Sequence, residues 1–246
     1  MAKRHDDDDD DKQPQPKVIV GGTITRIAPQ RDPNRLSIYL DGEFTLGLNT
    51  GIVEELGLRV GLALSAAEVI GIREREELNK AVDKALAFLT SRPRSIREVR
   101  DRLKEKEIPP DTIDAVVTRL EGWGYVGDEG FARYWIENRG ANQPRGKRLL
   151  RQELWRKGVE RETVDQVLDE LDVDEAGGAL TLARKRFNQL GGYDEQTQRR
   201  RLAAFLQRRG YDWPTVKGAL DTLFTETAAG DDGEPLGDSD SYEYKG

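Results

Sequence analysis

Three segments of the chain share one eleven-residue pattern, and their spacing constrains the fold more than any other feature. They begin at Leu103, Leu154 and Leu206 and read LKEKEIPPDTI, LWRKGVERETV and LQRRGYDWPTV. The offsets between them are 51 and 52 residues. Self-similarity at a fixed spacing predicts a tandem array of small structural units.

Each copy has the pattern of a helix, a tight turn and a second helix. A basic residue followed by Gly158 or Gly210 ends the first helix, because the cation meets the negative end of the helix dipole and glycine accepts a left-handed cap. Glu107 stands at this position in the first copy, which predicts either a cap strained by about 1 kcal/mol or a cap of another shape. In that copy a capping box from Ser95 to Glu98 should start a helix over 95–106, and Pro110 a helix that ends near Trp123. A more variable helix should precede each pair, at about 73–90, 128–140 and 174–190.

The segment before the array has a different period. Apolar and polar residues alternate between Lys17 and Leu48, and Asp41-Gly42 is a strong hairpin signal, so we predict three short strands. Short helices at 49–57 and 65–72 should join this module to the array. The predicted fold is mainly α: tandem three-helix repeats in an elongated curved array, with a small N-terminal β-hairpin module. The predicted domains are a disordered acidic tail at 1–16, the module at 17–72, repeats at 73–126, 127–172 and 173–227, and a second tail at 228–246.

Composition bounds the class of protein. Apolar residues make up 36% and charged residues 35% of the chain, which suits thin helical layers, and the chain lacks cysteine and any apolar run long enough to span a membrane. We therefore expect a cytoplasmic monomer that does not bind membranes. The DDDDDDK segment ending at Lys12 resembles an enterokinase-type cleavage site as well as a native acidic arm, and we favour the arm because no purification tag precedes it.

The net charge of −7 lies in the tails. Residues 1–16 sum to −3 and residues 230–246 to −5, so the part between them is slightly basic, at +1. Two stretches, 139–161 and 184–210, each carry eight Arg or Lys against two acids. Uncompensated like charges at this density favour a surface for phosphates or an acidic protein over a plain solvated face. The acids interleaved in RDRLKEKE, by contrast, favour a solvated face there.

Catalytic patterns are missing from the sequence. The only histidine is His5, cysteine is absent, and no phosphate-binding loop or dinucleotide fingerprint occurs, so we expect no enzyme, no cofactor and no metal site. Four tryptophans could stack on bases, but Trp123 and Trp135, with Tyr125, fit a packed junction between repeats better. Trp155 is equally compatible with a buried and with an exposed functional position.

The segments RPRSIREVRDRL, GYVGDEGFARYWIENR and GKRLLRQELWRKGV resemble the RecX family of RecA regulators. The matching residues are Gly124, Tyr125, Val126, Asp128, Phe131, Ala132, Arg133, Pro144, Arg145, Gly146, Leu154, Lys157, Gly158 and Val159. The resemblance implies a non-catalytic regulator that binds the RecA filament on single-stranded DNA and inhibits ATP hydrolysis and strand exchange, in homologous recombination and SOS repair.

By position in this resemblance and in the basic stretches, the expected filament or DNA contacts are Arg145, Lys147, Arg148, Arg151, Arg156, Lys157, Arg199, Arg200 and Arg208. Contacts with protein and with phosphate cannot be separated at this level. The alternative is a helical DNA-binding or architectural module that contacts phosphates directly and without sequence preference.

Overall fold

The computed structural model describes residues 20–231. Within that range the chain forms four strands and ten helices, and it divides into two compact units on either side of the Lys84–Ala85 bond. The acidic tail expected at 1–16 lies outside the described residues. The last helix continues to Asp231, so the part of the C-terminal acidic segment outside the described residues begins at Asp232.

The first unit contains a four-stranded antiparallel sheet. Its strands are β1 (Gly22–Pro29), β2 (Arg35–Leu40), β3 (Glu43–Asn49) and β4 (Ala63–Leu64), in the order β3-β2-β1-β4. The three predicted strands are confirmed, and Asp41 and Gly42, with φ of 48° and 90°, form the predicted two-residue hairpin turn. The fourth strand was not predicted, because two residues are too few to show an alternating pattern. Helix α1 (Thr50–Glu55) follows β3 as expected.

The next helix, α2 (Ala66–Leu89), is longer than predicted. Separate helices at 65–72 and 73–90 were expected, and that division is wrong. Gly71, the weakest helix former near the expected break, is tolerated because a single glycine in a helix costs only about 1 kcal/mol. The helix starts at a capping box in which Ser65 and Glu68 exchange hydrogen bonds, and the backbone bond from Ser65 lowers the pKa of Glu68.

The second unit is helical throughout its described part. After α2 come α3 (Ile96–Lys104), α4 (Pro110–Gly122), α5 (Asp128–Asn142), α6 (Lys147–Arg156), α7 (Arg161–Glu170), α8 (Glu175–Phe187), α9 (Glu195–Arg208) and α10 (Trp213–Asp231). The aligned leucines Leu103, Leu154 and Leu206 are all fully buried. The repeated pattern is therefore the pattern of three equivalent helical cores.

All three turns within the repeats have the same geometry. Gly158 and Gly210 have φ of 89° and 93°, and Glu107 adopts the left-handed region as well, at 57°. The residue after each cap donates its N–H to the helix carbonyl five positions earlier, from Ile108 to Leu103 at 3.2 Å and from Val159 to Leu154 at 3.1 Å. Glu107 is therefore the strained form of the cap, and the alternative of another shape is excluded.

Repeats one and two meet where the N-terminus of α3 faces the C-terminus of α6. The hydroxyl of fully buried Ser95 donates to the carbonyl of Lys157 at 2.6 Å, while Lys157 Nζ donates to Glu98 at 2.6 Å. A Cβ on Gly158 would lie 2.6 Å from the Cβ of Arg97, so this position needs glycine for close approach as well as for its φ.

Repeats two and three meet in the same way, one repeat further along, where the N-terminus of α6 faces the C-terminus of α9. The N–H of Gly146, before α6, donates to the carbonyl of Arg209 at 3.0 Å, and Arg148 donates to the carbonyl of Gln207 at 2.6 Å. A Cβ on Gly210 would lie 2.6 Å from the backbone nitrogen of Leu149. Both junctions are thus held by one type of contact, in which the N-terminus of one repeat's middle helix packs against the glycine cap that ends the middle helix of the next repeat.

Candidate functional site

The described residues hold no group of three or more His, Asp or Glu side chains arranged for a metal ion. Over residues 20–231 no helix is long and apolar enough to cross a bilayer. The chemistry that the second unit presents is the positive charge of repeats two and three, and the internal partners of each cation decide how much of that charge reaches the surface.

Glu153, on α6, is the centre of the internal network in repeat two. Its carboxylate is almost buried and accepts hydrogen bonds from Trp135 Nε1 at 2.9 Å and from Arg139 Nε at 3.3 Å. It also forms an ion pair with Arg145. Burial, together with the positive charges of Arg139 and Arg209, lowers the pKa of Arg145. Arg145, in the loop between α5 and α6, is half-buried and engaged by an acid of α6, while Trp135 and Arg139 join α5 to the same acid.

Three more of the predicted contact residues have internal partners. Arg151 donates to Asp165 on α7 at 2.6 Å, and Arg148 is bonded to the carbonyl of Gln207 across the second junction. Lys157 pairs with Glu98. Burial raises the pKa of Glu98, but ion pairs with Arg92 and Lys157 and the backbone bond from Ser95 outweigh it and hold the value at about 2.

The remaining predicted residues differ in how free they are. Arg199 is shared between Glu195 at 2.7 Å and Asp221 at 3.2 Å, and both ion pairs raise its pKa. The side chains of the other four make no hydrogen bond or ion pair with any described residue: Lys147, Arg156, Arg200 and Arg208. Of these, all but Lys147 are exposed. Among the predicted contact residues, these four can bind a partner without breaking an internal bond.

Of the aromatic residues predicted to pack at a junction, Trp135 is half-buried against the core of repeat two as expected, whereas Trp123 and Tyr125 are not packed. A packed junction containing Trp123 and Tyr125 was expected; instead these residues are 54% and 60% exposed and lie edge to face with ring centroids 6.2 Å apart. The left-handed Gly124 between them turns the chain so that both rings point away from the core. Val126 is buried as expected. The only sequence signal that separates this buried position from the two exposed aromatic positions is that Val126 is apolar without being aromatic.

Trp155, for which the sequence favours neither a buried nor an exposed functional position, is half-buried. The guanidinium of Arg161 lies 4.6 Å from its ring centroid, and its indole nitrogen is buried without a hydrogen-bond partner. Trp213, the first residue of α10, is by contrast 57% exposed.

Trp213 lines an open groove between α9 and α10, of about 550 Å³. Arg200 and Lys217 stand at the same groove, and Ala203, Ala204 and Leu220 contribute apolar surface. Lys217 was not among the predicted contacts, because it lies outside the basic stretch that ends at Gly210. An aromatic ring beside unpaired cations is a combination that binds anions carrying planar groups.

These observations define a protein whose first unit contains a small antiparallel sheet and whose second unit consists of helical repeats that present cations. Four family models match the chain in order: the Regulatory protein RecX N-terminal domain over 22–65, and the first, second and third three-helix domains of RecX over 81–120, 128–168 and 174–220.

Curated relatives agree with the family models. Regulatory protein RecX of Bacillus pumilus is 30% identical over 207 residues, covering 82% of this chain and 77% of that protein. Regulatory protein RecX of Chlorobium phaeobacteroides is 34% identical over 145 residues, covering 59% of this chain and 94% of that protein. A crystal structure of regulatory protein RecX has the same fold, with a TM-score of 0.69 at 22% identity, over 82% of this chain and 100% of that chain. The chain belongs to the RecX family, whose members are named regulatory proteins.

Proposed function

We propose that this chain is a non-catalytic regulator that binds the RecA filament on single-stranded DNA and inhibits its ATP hydrolysis and strand exchange. The observation that carries the proposal is the match of all four RecX domains in their order along one chain. Roles in homologous recombination and the SOS response follow from that partner, and so does a cytoplasmic location.

The cations of repeats two and three supply the contact surface. All nine predicted residues stay in the proposal, and the four without internal partners carry most of its weight: Lys147, Arg156, Arg200 and Arg208. Arg145, Arg151 and Lys157 contribute by fixing the helices that hold these side chains, since each is paired with a carboxylate of its own unit. A filament of protein and DNA is anionic, so unpaired cations add attraction without the cost of breaking an internal ion pair.

The second candidate is a DNA-binding array that acts without RecA. The exposed Trp213 beside Arg200 and Lys217 favours it, because stacking on an aromatic ring with cations nearby binds single strands regardless of sequence. This candidate predicts strong binding to DNA alone, with an affinity that falls steeply as salt rises.

The steady-state ATPase of cognate RecA on single-stranded DNA, titrated with this protein, tests the proposal. We expect hydrolysis to fall at substoichiometric protein, and the double variant Arg200→Glu, Arg208→Glu to require a higher concentration. Lys104→Glu is the matched control, since Lys104 is an exposed cation of repeat one without a hydrogen bond or ion pair in the described part of the chain. Unchanged hydrolysis together with tight, salt-sensitive binding to DNA alone would favour the second candidate instead.

A further inference from the structure

Three cations, Arg199, Arg200 and Lys217, and one acid, Asp221, line the groove between α9 and α10. Arg199 is the cation that is already balanced, by Glu195 and Asp221. Arg200 and Lys217 line the same groove, are exposed, and make no hydrogen bond or ion pair within residues 20–231. The groove therefore offers two unpaired charges beside the exposed ring of Trp213.

The sequence contains a segment of opposite character. Residues 232–246 follow α10 directly and carry five acids and one lysine. They also contain Leu236, Tyr242 and Tyr244, side chains that can cover an apolar floor and an indole ring. The negative charge and the apolar and aromatic side chains of this segment complement the groove. None of the functions considered above uses the segment.

The chain is long enough for this contact. Helix α10 has 19 residues, so Trp213 and Asp231 are separated by about 27 Å along its axis. The 15 residues from 232 to 246 can span up to about 50 Å when extended. The segment can thus return along α10 to the groove with residues to spare.

We propose that the groove between α9 and α10 binds the acidic C-terminal segment of the same chain, residues 232–246. The tyrosines and carboxylates of this segment are the groups whose chemistry is complementary to Trp213 and to Arg200 and Lys217. Tethering gives such a segment an effective concentration on the order of 1 mM, so a local dissociation constant of about 0.1 mM would weaken a competing anionic partner about tenfold. The contact itself is independent of the proposed function; only its consequence for RecA rests on that function.

The absence of cysteine from the chain allows a direct test in the full-length protein. Ser239→Cys, labelled with a nitroxide, should broaden the NMR signals of the Trp213 indole N–H and the Lys217 amide relative to the reduced label. The double variant Arg200→Glu, Lys217→Glu should abolish the broadening at Trp213, and so should 1 M salt, at which charges about 3 Å apart and beyond are screened. The amide of Lys104 in repeat one is the internal control and should stay sharp.

Three results would overturn the proposal. The first is no broadening at Trp213; the second is equal broadening at Lys104, which would mean diffuse attraction to every cation. The third is broadening of the groove by a label at Gln13→Cys and not at Ser239→Cys, which would make the N-terminal acids the occupant. Loss of RecA inhibition in other experiments would leave the NMR outcome untouched, so the two proposals fail separately.

A binding measurement checks the consequence. Replacing the five acids of 232–246 by Asn or Gln should tighten binding of an oligo-dT strand about tenfold. Replacing five aspartates between Asp6 and Asp10 is the matched control and should have a smaller effect. Equal gains in the two variants would show a general charge effect and contradict a specific contact in the groove.

Discussion

Replacing Gly210 by alanine should destabilise the second unit by about 2–4 kcal/mol. The left-handed φ of 93° costs a residue with a Cβ about 1–2 kcal/mol. The new Cβ would also lie 2.6 Å from the backbone nitrogen of Leu149, and overpacking of this kind costs about 1–3 kcal/mol because backbone cannot move aside cheaply. Alanine also restricts the unfolded chain more than glycine does, and this offsets about 0.4–1 kcal/mol of the lost stability.

The equivalent position in repeat one should respond in the opposite direction. Glu107 is exposed and already has a positive φ, so Glu107→Gly relieves about 1–2 kcal/mol of strain. Added freedom of the unfolded chain offsets about 0.5–1 kcal/mol of that gain. We expect a net stabilisation of about 0.5–1 kcal/mol.

Urea unfolding followed by circular dichroism measures both changes as shifts in the free energy of unfolding. Gly218→Ala is the control, because a Cβ added at Gly218, within α10, would meet no atom within 4 Å, and the variant should gain up to about 1 kcal/mol of stability. A Gly210→Ala protein as stable as the parent, or a Glu107→Gly protein less stable than the parent, would refute the account of the caps.

Three further predictions concern buried polar groups. Ser95→Ala removes both the helix cap and the bond to Lys157, and should cost about 1–3 kcal/mol by urea unfolding; a neutral result would mean that the first junction does not depend on it. The pKa of Glu98, about 2, lies below its ordinary value of 4.5. The stability that this carboxylate contributes should therefore be complete above about pH 5 and decline as the pH falls towards 2. Glu98→Gln should flatten that decline in the free energy of unfolding. Trp155→Phe removes a buried N–H that lacks a partner and should be neutral or stabilising, whereas Trp135→Phe removes one of the three donors to the nearly buried Glu153 and should cost about 1–3 kcal/mol; equal effects would contradict the assigned partners.

Local sequence patterns predicted much of this fold. The alternation in β1 to β3, the Asp41-Gly42 turn, the Ser95 capping box and the buried stripes of the repeats all depend on neighbours within a few residues, and all are present. The strained cap at Glu107 was one of two predicted alternatives. What failed is the division of α2, since a lone glycine lowers helix propensity without ending a helix that is packed on both sides of it.

The candidate site was harder to predict because its charges are balanced across long distances in sequence. Counting acids within a basic stretch misses Glu98, which pairs with Lys157 from 59 residues away. It also misses Asp165, which lies on α7 and pairs with Arg151 on α6. Such pairs depend on which helices become neighbours, so only the structure separates engaged cations from free ones. The exposure of Trp123 was missed because the left-handed turn at Gly124 directs its ring away from the core.

The glycine caps restrict the order in which the repeats can follow one another. A repeat can follow another only if its cap leaves room for the preceding middle helix, as Gly158 does for Arg97 and Gly210 does for Leu149. Glu107 carries a side chain at that position, so a copy of repeat one inserted after repeat two or repeat three would not fit the junction. Lengthening of this array by duplication would therefore have to copy repeat two or repeat three, and the first repeat can occupy only the first place.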